Sequence, residues 1–195
     1  MAVKKSELYS TLWKCCDELR GGMDASQYKD YVLVILFVKY ISDKSRSDEG
    51  FDIDIPEGCY FEDFVALKGN PNIGEEMNKK MAALAEANQL DGVFVADFED
   101  DAKLGKGKDK VETLSKLIAV FQNENLDFSK NRAADDDLIG DAYEYLMKNF
   151  ATESGKSKGQ FYTPAEVSRV MAKVIGLGDA RNGKKTTIYD PTCGS

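Results

Sequence analysis

The chain has 195 residues, 43% of them apolar, with 26 Lys and Arg against 34 Asp and Glu, no histidine and a formal charge of −8. That composition supports a buried core and excludes wholesale disorder, and the lack of histidine excludes imidazole bases, His metal ligands and Ser-His-Asp triads. The acidic balance argues against the chain wrapping nucleic acid by itself, because phosphate neutralisation needs clustered Lys and Arg.

From the N-terminus, Met1-Ala-Val-Lys-Lys leads into polar residues and not into an apolar signal core. Ser6 is placed to cap a first helix to about Arg20, with Leu8, Leu12, Cys15, Cys16 and Leu19 on one face, and Gly21-Gly22 ends it. Asp24 followed by Gln27 resembles a capping box and opens a second helix to about Asp43. Tyr28, Tyr31, Ile35, Val38 and Tyr40 fall around most of its circumference, which predicts a central place in the core. Its apolar run, Tyr31 to Val38, is ended by Lys39 and falls short of the ~20 residues a membrane span needs.

Between Ser45 and Asn72 the periodicity is lost, and acidic residues with Pro56, Gly58 and Pro71 predict a long, partly ordered connection. Ile73 to Gln89 is helical, with Met77, Met81, Leu84 and Ala85 as its stripe. Val93 to Phe98 reads as a short strand or an extended linker, and Lys103 to Lys110 as a flexible basic turn. Gly105-Lys-Gly-Lys108 lacks the spacing of a phosphate-binding loop. Two more helices follow, Val111 to about Asn123 with Leu114, Leu117, Ile118 and Phe121, and Asp137 to about Phe150. Asp135-Asp-Asp137 fits a helix N-terminus better than a metal site.

Residues 1–150 thus read as a mainly α-helical domain, and 151–158 as a small, polar linker. Thr163 is then the N-cap of a new helix, Pro164 suits its first turn and Glu166 completes a capping box. Val167, Val170, Met171, Val174 and Ile175 follow the spacing of one helical face, and Gly176 and Gly178 end it. Thr186-Thr-Ile-Tyr189 is β-prone and empties into Asp190-Pro-Thr-Cys-Gly-Ser195. A strand emptying into an acidic, glycine-bearing turn is how open α/β sheets receive nucleotide-like ligands, because glycine lets the backbone approach closely and the acid accepts hydrogen bonds. An ordinary strand-to-turn junction is the competing reading of so short a pattern.

Gly159-Gln-Phe-Tyr-Thr-Pro164 ahead of that helix, together with the Asp190-Pro-x-x-Gly194-Ser195 turn, resembles the N6-adenine DNA methyltransferases, and among them the modification subunit of type I restriction–modification systems. Ile139-Gly-Asp-Ala-Tyr-Glu-Tyr-Leu146 and the run from Tyr31 to Ser42 resemble that family's helical N-terminal domain. The likeness covers nearly the whole chain, loosely at 45–130 and closely from Ile139 onward.

The resemblance implies a helical N-terminal domain over 1–150 followed, at 159–195, by the helix and first strand of a Rossmann-like α/β domain that binds S-adenosyl-L-methionine. Thr163 would offer its hydroxyl, and Phe161 and Tyr162 their backbone, to the amino-acid end of the cofactor, with Pro164 beside them. One oxygen on Thr163 serves both the helix cap and the pocket edge. Gln160 is equally a turn former. Asp190 would hold the cofactor's ammonium directly or through water, Gly194 would allow the close approach, and Ser195 stands where the family has Ser or Thr. Cys193 reads as a small buried filler.

The family's catalytic Asn/Asp-Pro-Pro-Tyr/Phe loop, which receives the flipped base, does not occur in these residues, nor does its second acidic residue for the ribose. The expectation is an N-terminal piece without catalytic residues of its own and with poor cofactor affinity. The whole subunit would methylate adenine N6 in DNA, working with a specificity subunit, a second modification subunit and a restriction subunit. The alternative is that 1–150 is a docking module for partner subunits that clamps DNA. Tyr143 and Tyr145 fit core packing better than base stacking, and Lys156 and Lys158 fit solvated linker lysines better than DNA contacts. Cys15, Cys16, Cys59 and Cys193 include no C-x-x-C pair, so disulfides and zinc are not expected and the reading is a cytoplasmic protein away from membranes.

Overall fold

The computed structural model describes residues 3–19, 25–48, 51–90, 94–130, 138–153, 163, 165–176 and 189. Its helices are α1 (Lys5–Leu19), α2 (Ala25–Ser45), α3 (Phe61–Val65), α4 (Ile73–Asn88), α5 (Asp101–Leu104), α6 (Lys108–Phe121), α7 (Leu138–Glu153) and α8 (Ala165–Ile175), with a 3₁₀ turn at Phe128–Lys130. The described residues are thus mainly helical and include no β-strand. The strand expected at Thr186–Tyr189 lies outside them except for Tyr189, which is exposed and in no regular element. The chain divides into two compact units, Met1–Tyr143 and Glu144–Ser195.

In the first unit, Leu8, Leu12, Cys15 and Cys16 of α1 are buried on the expected face. Ser6 is not its cap. The backbone N–H groups of Glu7 and Leu8 both donate to the Lys4 carbonyl at 3.0 Å, and the Lys4 N–H donates to the Glu7 carboxylate at 3.4 Å. The helix starts at Lys5, earlier than the capping pattern suggests, which leaves Ser6 exposed inside the first turn.

Helix α2 buries Tyr31, Val32, Val34, Ile35, Leu36, Val38 and Ile41, nearly its whole circumference, so it is central as expected. Its last turn is polar yet also buried, and its groups are matched one by one. The Ser42 hydroxyl donates to the Val38 carbonyl at 2.7 Å and accepts the Phe61 N–H at 2.8 Å. The Asp43 carboxylate accepts Lys39 at 2.7 Å and the Phe128 N–H at 3.0 Å. Two distant backbone segments are therefore pinned to one helix end, where burial without such partners would cost about 1–3 kcal/mol per group.

That pinning explains why the described part of 45–72 differs from a partly ordered connection. Cys59, Phe61 and Phe64 are buried, α3 forms, and the Asp54 N–H and carbonyl both bond the Asn88 side-chain amide, at 2.8 and 2.7 Å. Local periodicity does not register an ordering that comes from contacts 34 residues away.

Helix α4 ends at Gln89, whose φ of 55° is the left-handed cap conformation, and its stripe Ile73, Met77, Met81 and Leu84 is buried. Gly74 lets it approach the chain at Phe98 closely, since a Cβ there would lie 2.2 Å from the Phe98 carbonyl oxygen. Phe94–Asp97 is an extended linker and not a strand. Phe98 is fully buried edge-on to Tyr31 at 5.5 Å, and the Tyr31 hydroxyl donates to the Asp97 carbonyl at 3.0 Å.

The expected basic turn at 103–110 is also built differently, as a charge-matched corner between α5 and α6. Asp100 caps α5 through the Ala102 and Lys103 N–H groups, and Lys110 is buried between Glu99 at 2.9 Å and Asp101 at 3.1 Å. Helix α6 buries Leu114, Leu117, Ile118 and Phe121 and touches α1, α2, α3, α4 and α5. Leu138 and Ala142 of α7 are buried, and the Lys5–Asp141 ion pair at 2.6 Å ties its first turn to α1. The helix continues through Glu153, three residues into the stretch read as linker.

In the second unit, α8 begins at Ala165, directly after Pro164, and Gly176 ends it at a φ of 74°. No helix among the described residues is long and apolar enough to cross a membrane.

Candidate functional site

Of the residues expected to bound a methyl-donor pocket, Thr163 is described. It is exposed and stands two residues before α8. Gln160, Phe161, Tyr162, Pro164, Asp190, Gly194 and Ser195 lie outside the described residues, as do Asp135–Asp137, Lys156, Lys158 and Cys193. The first turn of α8 carries Glu166, and a helix start presents N–H groups without intrahelical partners. Such an end favours negative charge.

The apolar face of α8 has the expected composition and an unexpected environment. Val167, Val170, Met171, Val174 and Ile175 are all exposed, Val174 at 82% and Ile175 at 69%. Five apolar side chains on one exposed helical face form a surface suited to cover by another element.

The first unit contains several grooves. One, of about 380 Å³, is lined by Lys39, Asp43, Arg46, Phe61, Glu62 and Asp127 among others. Arg46 makes a two-pronged bond to Glu62, whose carboxyl is held below its ordinary range first by that hydrogen bond. Lys39 is bound to Asp43 and lies 5.4 Å from the Phe61 ring centre. Asp127 is pulled down to about 2, chiefly by Lys130 and then by the Ser129 hydroxyl. Burial, followed by the charge of Asp100, raises Tyr31, so its hydroxyl stays a donor to Asp97. These side chains hold segments together. Among the described residues no group of three or more Cys, Asp or Glu is placed to hold a metal.

Buried polar residues that the sequence pattern did not single out include Ser42, Asp43 and Lys110. The available signal was that Ser42 and Asp43 continue the apolar face of α2 directly after Ile41. Lys110 carried a weaker one, as it precedes the Leu114–Phe121 stripe by one helical turn. Both are visible once the helix ends are known.

Residues 8–121 match the family described as HsdM N-terminal domain, and residues 134–195 match the family described as N-6 DNA Methylase. The chain is similar to the type I restriction enzyme MpnII methylase subunit of Mycoplasma pneumoniae, 27% identical over 94% of this chain and 41% of that protein. It is also similar to the MjaVII methylase subunit of Methanocaldococcus jannaschii, 30% identical over 98% of this chain and 34% of that one. Among solved structures it resembles the methyltransferase subunit of a type I restriction-modification system from Streptococcus thermophilus, with a TM-score of 0.68 and 26% identity. That likeness covers 90% of this chain and 44% of the other. The chain spans less than half the length of each of these relatives. The model of the HsdM N-terminal domain matches more than half of the chain and the methylase match follows it, and the chain belongs to the HsdM family, with its likeness to type I restriction enzyme methylase subunits covering less than half of their length.

Proposed function

We propose that the whole subunit transfers a methyl group from S-adenosyl-L-methionine to the N6 amine of adenine in DNA, and that residues 159–195 form one wall of the cofactor pocket. The observation that carries this reading is the match of 134–195 to the N-6 DNA Methylase family over a stretch that contains both short motifs. The exposed Thr163 ahead of α8 is compatible with it. A hydroxyl beside a helix N-terminus suits the carboxylate of an amino acid, the end of the cofactor assigned to it. The bound cofactor would supply an electrophilic methyl on a sulfonium. Thr163 and the backbone at Phe161 and Tyr162 would fix its carboxylate, with Gln160 and Pro164 shaping the turn. Asp190 would accept from its ammonium, while Gly194 and Ser195 would line the floor.

On this reading the domains are 1–150, a linker at 151–158 whose first three residues continue α7, and the methyltransferase start at 159–195. The subunit acts in the cytoplasm with DNA, a specificity subunit, a second modification subunit and a restriction subunit. The adenine-binding Asn/Asp-Pro-Pro-Tyr/Phe loop would lie in sequence other than these residues.

The test is calorimetric titration of S-adenosyl-L-methionine into residues 1–195 and into a longer subunit that carries the loop. Tight binding is expected in the longer protein and weak binding in the shorter. Asp190→Ala in the longer protein should weaken binding at least tenfold, with circular dichroism unchanged. Unaltered affinity in that variant would remove Asp190 from the pocket, and tight binding by 1–195 would contradict the half-built wall.

A further inference from the structure

We draw no further inference here: the strongest candidate, the exposed apolar face of α8 formed by Val167, Val170, Met171, Val174 and Ile175, belongs to the methyltransferase segment already proposed above, and nothing in the structure shows what covers it.

Discussion

Helices α6 and α8 carry the same kind of apolar spacing and meet opposite fates. Leu114, Leu117, Ile118 and Phe121 of α6 are completely buried, whereas Val170 and Val174 of α8 are 60% and 82% exposed. The difference lies in the neighbours. Five other helices pack on α6, so each of its apolar side chains realises the ~1.5–3 kcal/mol that full burial contributes. An amphipathic pattern states which face will be covered if a partner arrives. It does not supply the partner.

The contrast can be broken most forcefully in the core. Phe121→Ala removes a fully buried ring from the hub helix and should destabilise the chain by about 3–5 kcal/mol in urea unfolding. A loss below about 1 kcal/mol would mean that α6 is not the hub. Asp43→Ala comes next. It strands Lys39 and the Phe128 N–H together and should cost about 2–4 kcal/mol. Asp43→Asn should recover part of that loss, because an amide oxygen still accepts the Phe128 N–H. Equal damage from both variants would point to the charge on Lys39 as the whole effect.

At the other end of the scale, Val174→Ser in residues 1–195 should change stability by no more than about 0.5 kcal/mol, as for other exposed positions. In a longer subunit the same change is expected to cost about 1–3 kcal/mol if the face is covered there. Substantial destabilisation of the shorter chain would show that α8 is packed within it, and the contrast with α6 would vanish.

The smallest effect concerns acid. Asp127 has its folded pKa depressed to about 2 by Lys130 and Ser129, below the ~3.9 of an unfolded chain. Its contribution is present above pH ~4 and is lost as pH falls through about 2. Because its side chain is 36% exposed and Lys130 is 58% exposed, screening holds that contribution to a few tenths of a kcal/mol. Asp127→Asn should therefore slightly flatten the decline of the urea midpoint between pH 4 and pH 2. A steeper decline in the variant would reverse the assigned sign.

Much of the helical architecture was legible because it depends on local spacing. The stripes of α1, α4 and α6 and the glycine stop after α8 follow from residues three or four apart. The segment from Phe51 to Asn70 was less legible, because what orders it is remote: Ser42 receives Phe61, and Asn88 receives Asp54. The basic turn misled for a related reason. Lys103, Lys106 and Lys110 are matched by Glu99, Asp100 and Asp101, which precede the turn and look like an unrelated acidic run. Of the expected site, Thr163 is described: it is exposed and stands two residues before α8, one place ahead of the cap position expected for it, while its companions fall outside the described residues.

By itself the sequence determined the longer helices, their apolar faces and, through two motifs, the family. Those features reside in covalent order and short-range geometry. The tertiary structure alone decided that α6 is a hub, that the last turn of α2 is polar and buried, and that Lys110 closes a corner. Each depends on groups far apart in the chain meeting where water is excluded, and there an unmatched charge or N–H is costly enough to select one arrangement.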